Sequence, residues 1–235
     1  MIFERFLGTD FRRRRLLAKA AAGPLRDYLA TPFPATDAAS SEVAYLALDL
    51  ETTGGDPERD EIVSFGWVCV NGNRIDLATS QHRVVRLRAA ISPTSATIHN
   101  ITDDESDRGC SLEEALGALL QALAGRVLIA HRVETELGFV GRACERTYGG
   151  RILIPAVDTL KIAIRIEKRR QQIPKRGSLR LHALRARYNL PRYRAHNALS
   201  DALSAAELFL AQQAENSRPT PLKYWLSAGA SRFSV

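Results

Sequence analysis

The sequence predicts an α/β domain with a mixed central sheet, three antiparallel strands followed by parallel ones, flanked by helices. Three observations predict it. Residues 43–51, VAYLALDLE, and 61–70, EIVSFGWVCV, are apolar runs of strand length. Asn71-Gly72-Asn73 directly after the second run is a hairpin signal. From residue 111 onward helical and strand-like segments alternate, the order that lays down parallel strands with helical crossovers.

Each element follows from local pattern. Residues 1–40 read as a helical extension and linker: the spacing is helical up to Gly23-Pro24, and TPFPATDAASS is rich in Pro, Ser and Ala. The run Arg12–Arg15 suits either phosphate contact or a solvated helix face. The core domain spans 41–215. After the hairpin comes RIDLA (74–78), and QHRVVRL (81–87) supplies a third antiparallel strand. Ser111 and Glu114 form a capping box for a helix that Gly125 closes. RVLIAH (126–131) is a short buried strand, 135–148 a helix ending at Gly149-Gly150, and ILIPAVD (152–158) another strand. Helices are expected at 159–169, 178–188 and 198–215, with QQIPKRG as a loop. The tail, 216–235, carries Tyr224-Trp225 and suits docking on the core or on a partner.

Composition narrows the class. With 235 residues, 45% hydrophobic and 25% charged, the chain is long enough for one well-buried core and is neither disordered nor fibrous. No run of about 18 apolar residues exists to span a membrane, so none is expected as a partner. The start, MIFERFLGTDFRRRR, intersperses charge and lacks the apolar stretch of a secretory signal. Cys69, Cys110 and Cys144, odd in number and without metal-type spacing, suit reduced thiols in a cytoplasm. A net charge of +7 favours a polyanionic partner. The densest basic stretch, 165–194, suits either a phosphate-holding rim or a solvated helix face, since its leucines have core-type spacing.

The chemistry concentrates in acids at strand ends. On a strand, alternate residues share a face, so Asp49 and Glu51 point with Ala47, while Leu46, Leu48 and Leu50 point away. Two neighbouring carboxylates repel and resist desolvation unless a cation sits between them, and oxygen donors without Cys or His favour Mg²⁺ or Mn²⁺. Taken alone, the pair suits an ordinary strand end equally well. Further acids follow: Glu134 and Glu136 after a buried strand, Asp158 at the end of another, and Asp201 at a helix start. His196 stands five residues before Asp201; helical placement would rotate it about 140° away, so a loop position is expected.

Over roughly 43–213 these residues resemble the DEDD exonuclease superfamily, in its branch with a histidine in the last motif (DnaQ-like, proofreading-subunit-like). ALDLETTG resembles the first motif, ATIHNITDDE the segment whose histidine, here His99, contacts substrate, and HNALSDA the third motif. AHRVETELGF resembles the second, with Arg132 where the family has Asn, Thr135 for Phe and Glu136 for Asp. The resemblance implies a ribonuclease H-like fold and a 3′–5′ exonuclease releasing mononucleotides with two divalent metal ions, Mg²⁺ or Mn²⁺. Asp49, Glu51, Glu136 and Asp201 would be the metal ligands and His196 the general base, while Thr52, Thr53, Gly54 and His99 border the substrate. Asp158 is expected to anchor a strand–helix turn, and His82, His131 and His182 to be structural. Arg132 suits a phosphate contact or a salt bridge. The implied partner is nucleic acid with a single-stranded 3′ end, DNA before RNA, with a polymerase or repair protein as a possible associate. An RNA 3′ trimmer and a non-catalytic polymerase accessory remain the alternatives.

Overall fold

A computed structural model describes residues 8–87, 108–193, 196–216 and 219–226. Two short helices, α1 (Thr9–Leu17) and α2 (Pro24–Ala30), precede the sheet. Then come β1 (Ala44–Thr52), β2 (Ile62–Asn71), β3 (Arg74–Val84), α3 (Leu112–Leu123), β4 (Val127–Ala130) and α4 (Glu134–Tyr148). The chain continues through β5 (Ala156–Asp158), α5 (Thr159–Arg169), α6 (Leu181–Arg187), α7 (Ala198–Ala214) and α8 (Leu222–Trp225). The five strands are ordered β3-β2-β1-β4-β5. β1 is central, antiparallel to β2 and parallel to β4, and β4 pairs parallel with β5. This is the mixed sheet that the alternation of segments predicts.

The pleat of β1 sorts its side chains into two layers. Leu46, Leu48 and Leu50 join Phe65, Trp67 and the leucines of α3 on one side, with Phe139 and Val140 of α4. Tyr45 and Ala47 join Val68, Ile129 and α7 residues such as Phe209 on the other. Burial is complete at most of these positions, so each layer fixes the register of β1 against slippage by one residue.

Several elements differ from expectation. RIDLA and the first four residues of QHRVVRL belong to one eleven-residue strand, β3, whose register with β2 shifts between Trp67 and Cys69. At that irregularity the Cys69 amide donates to Thr79 Oγ1 at 2.9 Å, so a side chain replaces the missing ladder bond. β5 keeps only Ala156–Asp158, because Pro155 has no N–H to extend the ladder. The expected helix at 178–188 is confined to α6, with Arg180 in extended conformation at its start.

The flanking segments pack onto the domain. Leu25, Tyr28 and Leu29 of α2 lie in the layer of α3, and the Tyr28 hydroxyl donates to Leu153 O at 2.9 Å. Arg13, within the basic run, is buried: its guanidinium meets Asp10 and donates to the carbonyls of Leu29 and Ala30, tying α1 to the end of α2. It is therefore neither a solvated face residue nor placed for phosphate contact. Residues 219–226 of the tail dock on the core, Trp225 meeting Phe209 edge-on at 5.7 Å, and their backbone bonds the linker through Leu222 N to Ala38 O at 2.9 Å. Among the described residues, no helix is long and apolar enough to cross a membrane.

Candidate active site

The acids come together where β1 ends. Ala47, Asp49 and Glu51 share the face that α7 covers, and Asp201 lies in the first turn of α7. One ligand atom from each of Asp49, Glu51 and Asp201 lies within 4.8 Å of the other two. Such closeness requires the start of α7 to rest on the sheet backbone. Gly66 of β2 is the register partner of Asp49, and a Cβ on it would fall 2.1 Å from both Ala198 C and Leu199 N. The strand pattern around Gly66 does not assign it this role, though an isolated glycine inside a strand run is the available signal for close backbone approach.

Local geometry then aims the third motif. Asn197 caps α7, its side-chain oxygen accepting from Ser200 N at 3.1 Å. His196 lies before the helix, as the 100° argument requires, with φ at 64°. Its backbone N–H donates to Asp201 Oδ2 at 2.9 Å and its side chain is exposed. Histidine is among the residues that tolerate this left-handed conformation.

The second motif separates its two glutamates. Glu136, in the first turn of α4, is 3% exposed, and its Oε2 is buried without a hydrogen-bond partner. Glu134 is exposed and paired with Lys161. Asp158 accepts from the backbone amides of Arg132, Val133, Leu160 and Lys161 at 2.8–3.3 Å. It joins the start of α4 to that of α5, so its lone pairs are spent on architecture. His131 is likewise enclosed: Nδ1 faces Thr159 Oγ1 at 2.8 Å and Nε2 faces Leu179 O at 3.1 Å. Burial pushes its pKa down to about 4, so the ring is neutral and clamps the loop before α6 against the second motif.

The turn after β1 is internally bonded. Thr52 Oγ1 donates to Gly54 O at 2.7 Å, and Thr53 N donates to Glu61 O at 3.0 Å. Asp60 closes the turn, accepting from Asp56 N at 2.8 Å, and a side chain at Gly54 would meet its carboxylate. His99 lies outside the described residues.

Burial and mutual repulsion make these acids hard to ionise without a cation among them. Burial raises the proton affinity of Asp49, and the charges of Glu136, Asp201 and Glu51 raise it further. Burial chiefly raises Glu51 to about 7, with Asp201 adding to the effect and His196 opposing it. Glu136 and Asp201 are also pushed up, first by burial. Three converging carboxylates, with no sulfur or imidazole among them and the orphaned buried oxygen of Glu136 near enough to raise the proton affinity of Asp49, fit a hard divalent cation.

The basic stretch is partly structural. Arg185 donates to Ser204 O and pairs with Glu207, Arg187 pairs with Glu167, and Arg170 with Glu215. Arg165 and Arg169 stack on Tyr224 at 4.3 and 5.4 Å. Lys175, Arg176 and Arg180 remain exposed on the loop that His131 clamps.

A mixed sheet whose central strand presents an acid pair to an acid-bearing helix is a ribonuclease H-like arrangement. The chain belongs to the exonuclease family of the ribonuclease T type, whose sequence profile matches residues 46–209. It is 30% identical over 174 residues to a PolC-type DNA polymerase III of Thermotoga maritima, covering 74% of this chain and 12% of that protein. It is 27% identical over 170 residues to the 3′-5′ exonuclease DinG of Staphylococcus haemolyticus, covering 71% of this chain and 18% of that protein. The chain thus spans under a fifth of the length of either relative. Among solved structures, the nuclease domain of 3′hExo, a DEDDh family member bound to rAMP, superposes with a TM-score of 0.64 at 17% identity. That match covers 78% of this chain and 98% of the other. Exonuclease X in complex with 5′ overhanging duplex DNA superposes at 0.57 with 20% identity, over 77% and 97% of the two chains.

Proposed function

We propose that the chain is a metal-dependent 3′–5′ exonuclease that hydrolyses the terminal phosphodiester of a nucleic-acid strand and releases nucleoside 5′-monophosphates. The observation that carries this reading is the convergence of the Asp49, Glu51 and Asp201 carboxylates within 4.8 Å. Asp49, Glu51, Glu136 and Asp201 would hold two divalent ions, Mg²⁺ or Mn²⁺. When bound, such ions supply charge neutralisation at a phosphate and lower the pKa of attacking water.

The chain's own residues supply the rest. His196, exposed and tied to Asp201 by its backbone N–H, would accept the proton of the attacking water. The tight turn at Thr52, Thr53 and Gly54 gives a rigid wall for the terminal nucleotide, and His99 is the further substrate contact. Lys175, Arg176 and Arg180 hold the phosphate backbone by charge, without reading sequence.

DNA is the favoured substrate, because one sequence relative is named as a DNA polymerase. RNA trimming is the alternative, since discrimination depends on contacts near the sugar 2′ position. A polymerase or repair protein is the corresponding partner.

The test is digestion, side by side, of single-stranded DNA, duplex DNA with a 3′ overhang, and RNA, with Mg²⁺ or Mn²⁺. Stepwise shortening from the 3′ end, abolished by Asp49→Ala, is expected. No digestion of any substrate with either metal overturns the reading.

A further inference from the structure

Arg132 occupies an unfavourable backbone position. Its φ of 72° lies in the left-handed region, which glycine and asparagine enter readily and a long side chain such as arginine rarely does. The position is over-determined from both sides. Its amide donates to Asp158 Oδ1 at 3.2 Å, and the next amide, of Val133, donates to Asp158 Oδ2 at 3.3 Å. His131 before it is locked between Thr159 and Leu179. The backbone cannot relax, and the arginine bears the strain.

Its side chain gains nothing visible in return. Among the described residues, the guanidinium has no hydrogen bond and no ion pair, and it is exposed. The acids near it in the chain are otherwise engaged: Glu134 with Lys161, and Asp158 with four backbone amides. Yet Arg132 stands on the turn between β4 and α4, four residues before buried Glu136 in the first turn of α4. A strained, exposed cation without a protein partner among the described residues, beside a carboxylate cluster, suits contact with an anionic ligand.

We infer that Arg132 is a substrate-binding residue whose guanidinium grips a phosphate of the strand lying across the carboxylate cluster, on the Glu136 side. This rests on the exonuclease reading and names a contact within it. A guanidinium presents paired N–H donors to phosphate oxygens, so the grip is directional as well as electrostatic.

The test compares wild type, Arg132→Asn and Arg132→Lys by three measurements. Single-stranded oligonucleotide binding is followed by fluorescence anisotropy in Ca²⁺, at several salt concentrations. Digestion in Mg²⁺ gives KM and kcat. Thermal unfolding reports on the backbone. Arg132→Asn is expected to weaken binding and raise KM roughly tenfold, with a much smaller effect on kcat. The slope of log affinity against log salt should flatten by about 0.7, the share of one phosphate contact on a single strand. Arg132→Lys should recover the slope but only part of the affinity. Because asparagine suits the left-handed position, the Asn variant should melt roughly 2–4 °C higher.

Unchanged affinity and salt slope in Arg132→Asn overturn the inference, as does a lower melting temperature with those two unchanged, which marks a purely structural arginine. If wild type binds the oligonucleotide but digests nothing, the exonuclease reading fails while the binding comparison still decides for or against Arg132. If wild type binds no oligonucleotide, both fail.

Discussion

Gly66 lies opposite Asp49 across the β1–β2 ladder, and the first turn of α7 rests where a Cβ on Gly66 would be. A backbone contact on one strand thereby sets the distance between an acid on the next strand, Asp49, and an acid on the helix, Asp201. Because the clashing atoms belong to backbone, no rotamer change relieves a substitution there.

Gly66→Ala should therefore lift the start of α7 and cost about 3 kcal/mol of stability, at the upper end of overpacking penalties. Activity should fall further than stability, by 100-fold or more, since misplacement of about 1 Å in such a site carries that penalty. Urea unfolding and digestion of a 3′-labelled strand measure the two effects. A fully active Gly66→Ala would refute the link.

Glu136 and Glu134 are two residues apart and oppositely disposed, one buried with an orphaned oxygen and the other paired with Lys161 at the surface. Glu136→Gln should reduce turnover by orders of magnitude. Glu134→Gln should leave activity nearly intact and change stability by under about 1 kcal/mol, as exposed pairs do. Kinetics of the two variants under one metal concentration decide the matter; the reverse ranking would exchange their roles.

The raised acids give metal-free protein a definite pH dependence. The folded pKa of Glu51 is about 7, against an ordinary value of 4.5. Between these values the folded state binds more protons than the unfolded one, so stability is present at the acid end and lost as pH rises. In EDTA, the melting temperature of wild type relative to Glu51→Gln should fall from pH 5 to pH 8. Mg²⁺ should raise the wild-type melting temperature more at pH 8 than at pH 5. Calorimetry across that range checks the sign, and an opposite slope refutes the assignment.

Asp158, by contrast, should behave as architecture. Asp158→Ala leaves four amides around two helix starts without their acceptor and should cost about 2–4 kcal/mol. Asp158→Asn keeps an acceptor and should lose less. Chemical denaturation of both variants, with Mg²⁺ affinity measured by calorimetry, separates this from ligation, for which the Asn variant would lose metal binding.

Much of this architecture is legible in the sequence because it is local. The apolar runs of β1 and β2 and the capping box of Ser111 and Glu114 each declare themselves within a few residues. The period-2 pattern of LALDLE alone places Asp49 and Glu51 on one face, and the spacing HNALSD places His196 ahead of its helix. What the sequence could not decide depends on contacts far apart in the chain. Whether 74–84 is one strand or two turned on Thr79 substituting for a ladder bond at Cys69. Whether Arg13 faces water turned on the carbonyls at the end of α2. The resemblance names Glu136 of VETEL, but its burial, with Glu134 left exposed, was set by the rotation of α4 against the sheet. The approach of Asp201 to Asp49 was set by a missing side chain at Gly66. Local pattern fixes which residues carry charge and which way a strand presents them. Only the packed tertiary structure fixes their mutual distances, because distances arise from steric contact between elements that the sequence keeps apart.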